Sequence, residues 1–167
     1  MWVTDLHSLA SPGDSLHRCA GAQLRYDPWL DLLENWPEVV VRTEPLPGRM
    51  LGELCYPVIA LRAESSPAQR RCTLTHEIVH LERGVRDCGQ WLAREEWYVD
   101  REVALRLLPI AVLAPAIRDA GGIEDLTEIA RHLDVDTQTL TMRLSLLTGS
   151  ERRRVRTTRM REVWSVA

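Results

Sequence analysis

Residues 70–84 read RRCTLTHEIVHLERG, placing two histidines four apart with a glutamate directly after the first. Residues at i and i+4 of a helix lie one above the other, so His76 and His80 can aim two imidazoles at one ion. Glu77 then reaches a water on that ion and can act as general base in its attack on a carbonyl. Chance explains the pattern poorly. With five histidines in 167 residues, a random H-E-x-x-H is expected roughly 0.01 times. The bland alternative is a surface helix whose histidines face water. Helical phase argues against it, because Leu74, Ile78 and Leu81 gather opposite His76 while His80 lies about 40° from it.

A catalytic zinc takes three protein ligands and keeps a fourth position for water. The next helical stretch offers Glu95, Glu96, Asp100 and Glu102. Leu92, Ala93, Glu96, Asp100, Val103, Ala104 and Leu107 form one i, i+3, i+4 stripe, apolar except for two carboxylates. Glu95, Val99, Glu102 and Arg106 share the side expected to face solvent. Carboxylates on an apolar stripe need compensation, and a metal with its histidines supplies it. Glu96 is therefore the expected third ligand, and Asp100 is expected to accept a hydrogen bond from the free N–H of a liganding histidine. The competing assignment pairs both carboxylates with arginines. One Zn2+ per chain is expected, although two nitrogens and a carboxylate also suit manganese or iron.

These two helices must be held by something. Asp27-Pro28 is a cap and first-turn pair for a short apolar helix that Pro37 stops, and a further short helix is expected around 15–24. Residues 39–44, 50–56 and 58–62 read as three strands, expected to form a small antiparallel sheet. Helical periodicity runs from Ser66-Pro67 to Gly84 and from about Leu92 to Leu108, and resumes after Pro109. The expected fold is α+β, the sheet packed on the site helices, with residues 1–109 as core and 110–167 as a helical segment.

Composition narrows the class. Hydrophobic residues at 45% and charged residues at 27% describe a globular chain. All 21 basic residues are arginine, and the net charge of -3 gives no overall attraction for nucleic acid or membrane. The opening MWVTDLHSLASPGD lacks the basic start and apolar run of a secretory signal, and no stretch approaches the roughly 20 apolar residues of a span. A cytoplasmic protein without membrane association is expected. Four cysteines without a C-x-x-C pair are expected to be reduced thiols, and Cys72 lies one helical turn before His76. His7, His17 and His132 have no partner at ligand spacing.

With RRCTLTHEIVHLERG followed by EEWYVDREVALRLLP, the chain resembles the ImmA/IrrE family of metallopeptidases, a gluzincin-like group. The resemblance is carried by His76, Glu77 and His80, then Glu96 and Asp100, then Leu107-Leu108-Pro109. Val79 stands where family members often have Gly, and Val99-Asp100 where they often have Ala-Asn; neither removes a ligand or the base. The resemblance implies a zincin-like helix pair and a zinc endopeptidase cleaving a helix-turn-helix repressor of a prophage, mobile element or stress response. Tyr98 and Tyr56 are the tyrosines that could stabilise an oxyanion, with a core role the plainer reading of both. A substrate strand could pair with a sheet edge such as Val58 to Arg62.

The tail invites a different class. Leu126, Ile129, Ala130 and Leu133, a break at 134–136, and Leu140, Leu144 and Leu147 resemble a helix-turn-helix. Its second helix offers only Arg143 as a cation, so DNA binding is possible but not favoured, although the arginines at 152, 153, 154, 156, 159 and 161 could supply charge. The bland reading of that run is a solvated helix with Val155, Val163 and Trp164 packing back. A partner-binding regulator with a structural or non-catalytic zinc site is the remaining alternative.

Overall fold

Helix starts are written locally in the chain. The Asp27 carboxylate accepts the Trp29 N–H at 2.9 Å, with Pro28 in the first turn, and so opens α1 (Pro28–Asn35). Ser66 and Gln69 close a reciprocal capping box at the start of α2 (Pro67–Glu82). A computed structural model of the protein describes residues 25–84 and 93–156. Among them are also β1 (Val40–Glu44), β2 (Gly52–Cys55), β3 (Val58–Arg62), α3 (Ala93–Leu107), α4 (Ile110–Asp119), α5 (Leu126–Leu133), α6 (Thr137–Ser145) and α7 (Gly149–Val155). The α+β class holds.

The sheet is mixed rather than antiparallel. Its order is β1-β3-β2, with Val40 opposite Val58 in the parallel pair and Gly52 opposite Leu61 in the antiparallel pair. The segment between β1 and β2 is no tight turn, so β2 need not return beside β1. Arg62 fixes that segment by donating from Nε to the Met50 carbonyl at 2.6 Å and from Nη2 to the Gly48 carbonyl at 2.8 Å. Val58–Arg62 is thus the central strand of the three, with β1 on one side and β2 on the other. The sequence offered Val58 to Arg62 as an example of an edge and left the edge strand open; in the structure that strand is the middle one.

Two apolar clusters lie on either side of α2. Leu74, Ile78 and Leu81 join Leu32, Leu54, Ile59 and Leu61 beneath the sheet. Cys72 and Val79 join the helical cluster, which runs through Val99, Val103, Leu107, Leu113, Ile129, Leu140 and Val155. Every residue from Cys72 to Leu81 is buried except His76. Val99, expected on the solvent side of α3, is wholly buried. The reason is that α3 has neighbours on two sides, α2 and α6, so its apolar surface is wider than one stripe.

The α5–α6 turn is tied to α2. Asp134 takes a left-handed conformation (φ 55°), which aspartate tolerates. Arg71 donates to the Asp134 carbonyl at 2.9 Å and to the Tyr26 carbonyl at 2.9 Å. The Asp136 N–H meets Cys72 Sγ at 3.4 Å.

Cys55 is disulfide-bonded, against the expectation of reduced thiols, while Cys72 is free and buried. Val155 packs into the core as expected. The expected helix at 15–24, His7, His17, Cys19, Cys88, Leu92, Arg159, Arg161, Val163 and Trp164 lie outside the described residues. No helix among the described residues is long and apolar enough to cross a membrane.

Arg143, the one cation of α6, is buried, donating to the Leu108 carbonyl at 2.8 Å and to Glu151 Oε1 at 2.5 Å. It cannot serve a phosphate from there. The guanidinium holds the Glu151 carboxyl at about 2, below its ordinary 4.5, with the Thr148 backbone assisting. A carboxyl depressed by folding stabilises above its unfolded value, and that stability disappears as pH falls through the folded value. Glu151→Gln should therefore lower the melting temperature at pH 7 and flatten the loss of wild-type stability between about pH 4.5 and 2. Thermal melts across that range check this. Arg143→Ala should cost more, about 3 kcal/mol, because it empties a buried site and removes the hydrogen bonds to Leu108 and Glu151 together.

Candidate metal centre

The one gap in the buried run of α2 is where His76 faces α3. Its Nδ1 lies 3.1 Å from Asp100 Oδ1, and its Nε2 lies 3.2 Å from Glu96 Oε2 and 3.1 Å from His80 Nε2. His80 Nε2 is in turn 3.5 Å from Glu96 Oε1. The structure therefore brings together His76, His80, Glu96 and Asp100, with Glu96 and Asp100 one helical turn apart on α3, and Glu77 lines the same cleft. Glu95 turns away and pairs with Arg83, its second oxygen 3.0 Å from Nη2. Glu102 pairs with Arg101 at 2.5 Å.

This arrangement is a candidate metal site on two independent grounds. His76, His80 and Glu96 offer three donor atoms within 4.8 Å of one another. Their separations of 3.1 to 3.5 Å bracket the roughly 3.3 Å between two ligands of a tetrahedral zinc with bonds of about 2.0–2.1 Å. Secondly, Glu96 Oε1 is buried and makes no hydrogen bond. A desolvated carboxylate oxygen without a donor is costly, and a cation among these three residues removes the cost. The donor set of two imidazoles and one carboxylate fits zinc.

Electrostatics agree. Burial alone would depress His76, yet its hydrogen bonds to Asp100 and Glu96 outweigh burial and raise it to about 10. His80 is lowered, by burial first and then by His76. Burial raises Glu77 to about 7, with Glu96 and Glu53 adding to the rise and His76 opposing it. Three carboxylates thus surround one imidazole, a site short of positive charge.

The cleft in front of these residues has a volume of about 250 Å³ and is lined by Leu51 and Gly52 on one side and Asp136, Gln138, Thr139 and Met142 on the other. Cys72 also reaches it, but burial pushes its thiol up to about 11, which leaves it protonated rather than nucleophilic. Tyr98 and Tyr56 are not core residues, being 43% and 36% exposed, and neither lines the cleft. Tyr98 lies under the Arg83 guanidinium at 4.8 Å, and the Tyr56 hydroxyl donates to Glu38 at 2.8 Å. His132 is exposed.

Two features escaped sequence reasoning. One is the wall from α6, whose contact with the site is purely tertiary. The other is Gly52, where a side chain would put Cβ 2.3 Å from Thr73 Cγ2 and 2.8 Å from Glu77 Oε1. A glycine inside a strand run is the signal of such a close approach.

His76 and His80 from α2 and Glu96 from α3 thus form a cluster that could hold a metal ion, with the small sheet alongside. The family model described as Peptidase_M78, IrrE N-terminal-like domain, matches residues 37–145, more than half of the chain, and the protein belongs to that family. No curated protein matches the chain.

Gly52→Ala should lower stability by about 1–3 kcal/mol, since both neighbours are buried and must move. Adding Thr73→Ser removes the nearer obstacle and should return part of that loss. Denaturant titrations of the single and double variants measure the difference.

Proposed function

We propose that the protein is a zinc-dependent endopeptidase that hydrolyses a peptide bond in a protein substrate. The observation that carries this reading is the convergence of His76, His80 and Glu96 beside the buried carboxylate of Glu77. His76, His80 and Glu96 would hold the ion. Zinc, when bound there, supplies Lewis acidity toward a carbonyl and lowers the pKa of water to about 7.

The remaining steps belong to the chain. Asp100 accepts the Nδ1 proton of His76 and so fixes the tautomer that turns the Nε2 lone pair toward Glu96 and His80. Glu77 takes the proton of the attacking water and delivers it to the leaving amine. Its low exposure keeps that proton from bulk solvent, and Gly52 leaves it room. Gly52, at the start of β2, and Leu51 border the same cleft, so an extended segment lying beside them would present its backbone to Glu77.

Family membership supports a helix-turn-helix repressor of a prophage, mobile element or stress response as the substrate. A cytoplasmic location accords with that substrate. The DNA-binding alternative is weakened by the burial of Arg143.

Elemental analysis of purified protein should find about one zinc per chain, lost in Glu96→Ala and kept in Glu95→Ala. Glu77→Gln should retain the metal while cleavage of a repressor encoded beside this chain's gene falls by at least about 10²-fold. Wild-type protein that takes up no metal, or that cuts as well with Glu77→Gln, would overturn the assignment.

A further inference from the structure

Beyond the metal cleft, α3 and α6 enclose a second depression, shallower and larger at about 440 Å³. Its lining includes Trp97, half exposed, and the hydroxyl residues Thr137, Thr141 and Ser145. Gln138 and Met142 line both this depression and the metal cleft, so they are the divider between the two. On α3 the same division falls between neighbours: Glu96 faces the cleft and Trp97 the depression.

We propose that this depression is a specificity pocket for the peptide substrate, with Trp97 and Met142 receiving a bulky apolar side chain next to the scissile region. The inference rests on the peptidase reading above. Its occupant follows from continuity. A peptide whose scissile bond lies in the metal cleft has Gln138 and Met142 beside it, and these same two residues line the depression that holds Trp97. In an extended chain alternate side chains leave on the same side, so the residue that reaches the depression stands about two positions from the one filling the cleft.

The lining chemistry selects the side chain. An exposed indole is a large apolar surface that gains by being covered, and an aromatic or aliphatic partner covers it without requiring an opposite charge. Met142 is unbranched and polarisable, so one wall can adapt to leucine, methionine or phenylalanine. The lining carries no charged side chain, and the Thr141 and Ser145 hydroxyls already donate to carbonyls of their own helix, so the depression suits an apolar group rather than a charged one.

Binding tests this without needing hydrolysis. A Glu77→Gln variant loaded with zinc would be used to select from a random decapeptide library displayed on phage, alongside the same variant carrying Trp97→Ala or Met142→Ala. The expected result is enrichment of large apolar residues at one fixed position, with a synthetic selected peptide binding about tenfold more weakly to the Trp97→Ala form. Selection without an apolar position, or one unchanged by Trp97→Ala, would overturn the pocket. So would concentration-dependent dimerisation that Trp97→Ala abolishes, since the depression would then be a contact between copies of the chain. Peptide selection is scored separately from repressor cleavage, so the pocket can fail while the peptidase stands, and the reverse.

Discussion

Everything at the site depends on α2 being packed from both sides. Leu74, Ile78 and Leu81 lie against the sheet while Cys72 and Val79 lie in the helical cluster, which holds the helix in place between two apolar layers. Side chains in such a helix have little rotameric freedom, because protein interiors are packed at crystal-like density. His80 and Glu77 inherit that rigidity. Their desolvation, costly in isolation, is tolerable because the surrounding burial fixes them close to Glu96 and to each other.

Electrostatics then divides the labour between two carboxylates on one face of α3. Glu96 lies among the imidazole nitrogens, whereas Asp100 is behind His76 and acts on the ring's other nitrogen. Neighbouring Glu95, rotated by one residue, finds Arg83 and leaves the site altogether. The same residue type has opposite fates because helical phase decides which water each carboxylate loses.

Much of this was legible in the sequence, for a physical reason. The four-residue spacing of His76 and His80, and of Glu96 and Asp100, is fixed by helix geometry, so local order predicts three-dimensional proximity within each helix. What joins the helices to one another is also readable, because a polar pair on an apolar stripe demands a partner. The parts that were not legible are those set by contacts far apart in the chain. Val99 looked solvent-facing because one stripe seemed to exhaust the apolar surface of α3, and only the packing of α6 reveals a second. The strand order failed likewise, since register and crossover depend on how segment 45–51 is tied by Arg62. Arg143 read as a surface cation and is instead a core strut, because its partners, Leu108 and Glu151, lie 35 residues before it and 8 after.

The clamp formed by Arg71 and Cys72 on the α5–α6 turn has a temporal side. The residues that grip the turn are on the motif helix itself, but the turn they grip lies 63 and 64 positions later in the chain. During synthesis, with domains emerging at about 5–20 residues per second, the histidines and their glutamates are exposed from the ribosome well before the wall carrying Gln138 and Met142. A nascent chain thus possesses its chemistry before it possesses a cleft to confine it. The opening stays unformed until α6 docks, and the same late arrival closes the helical core around Leu140 and Arg143.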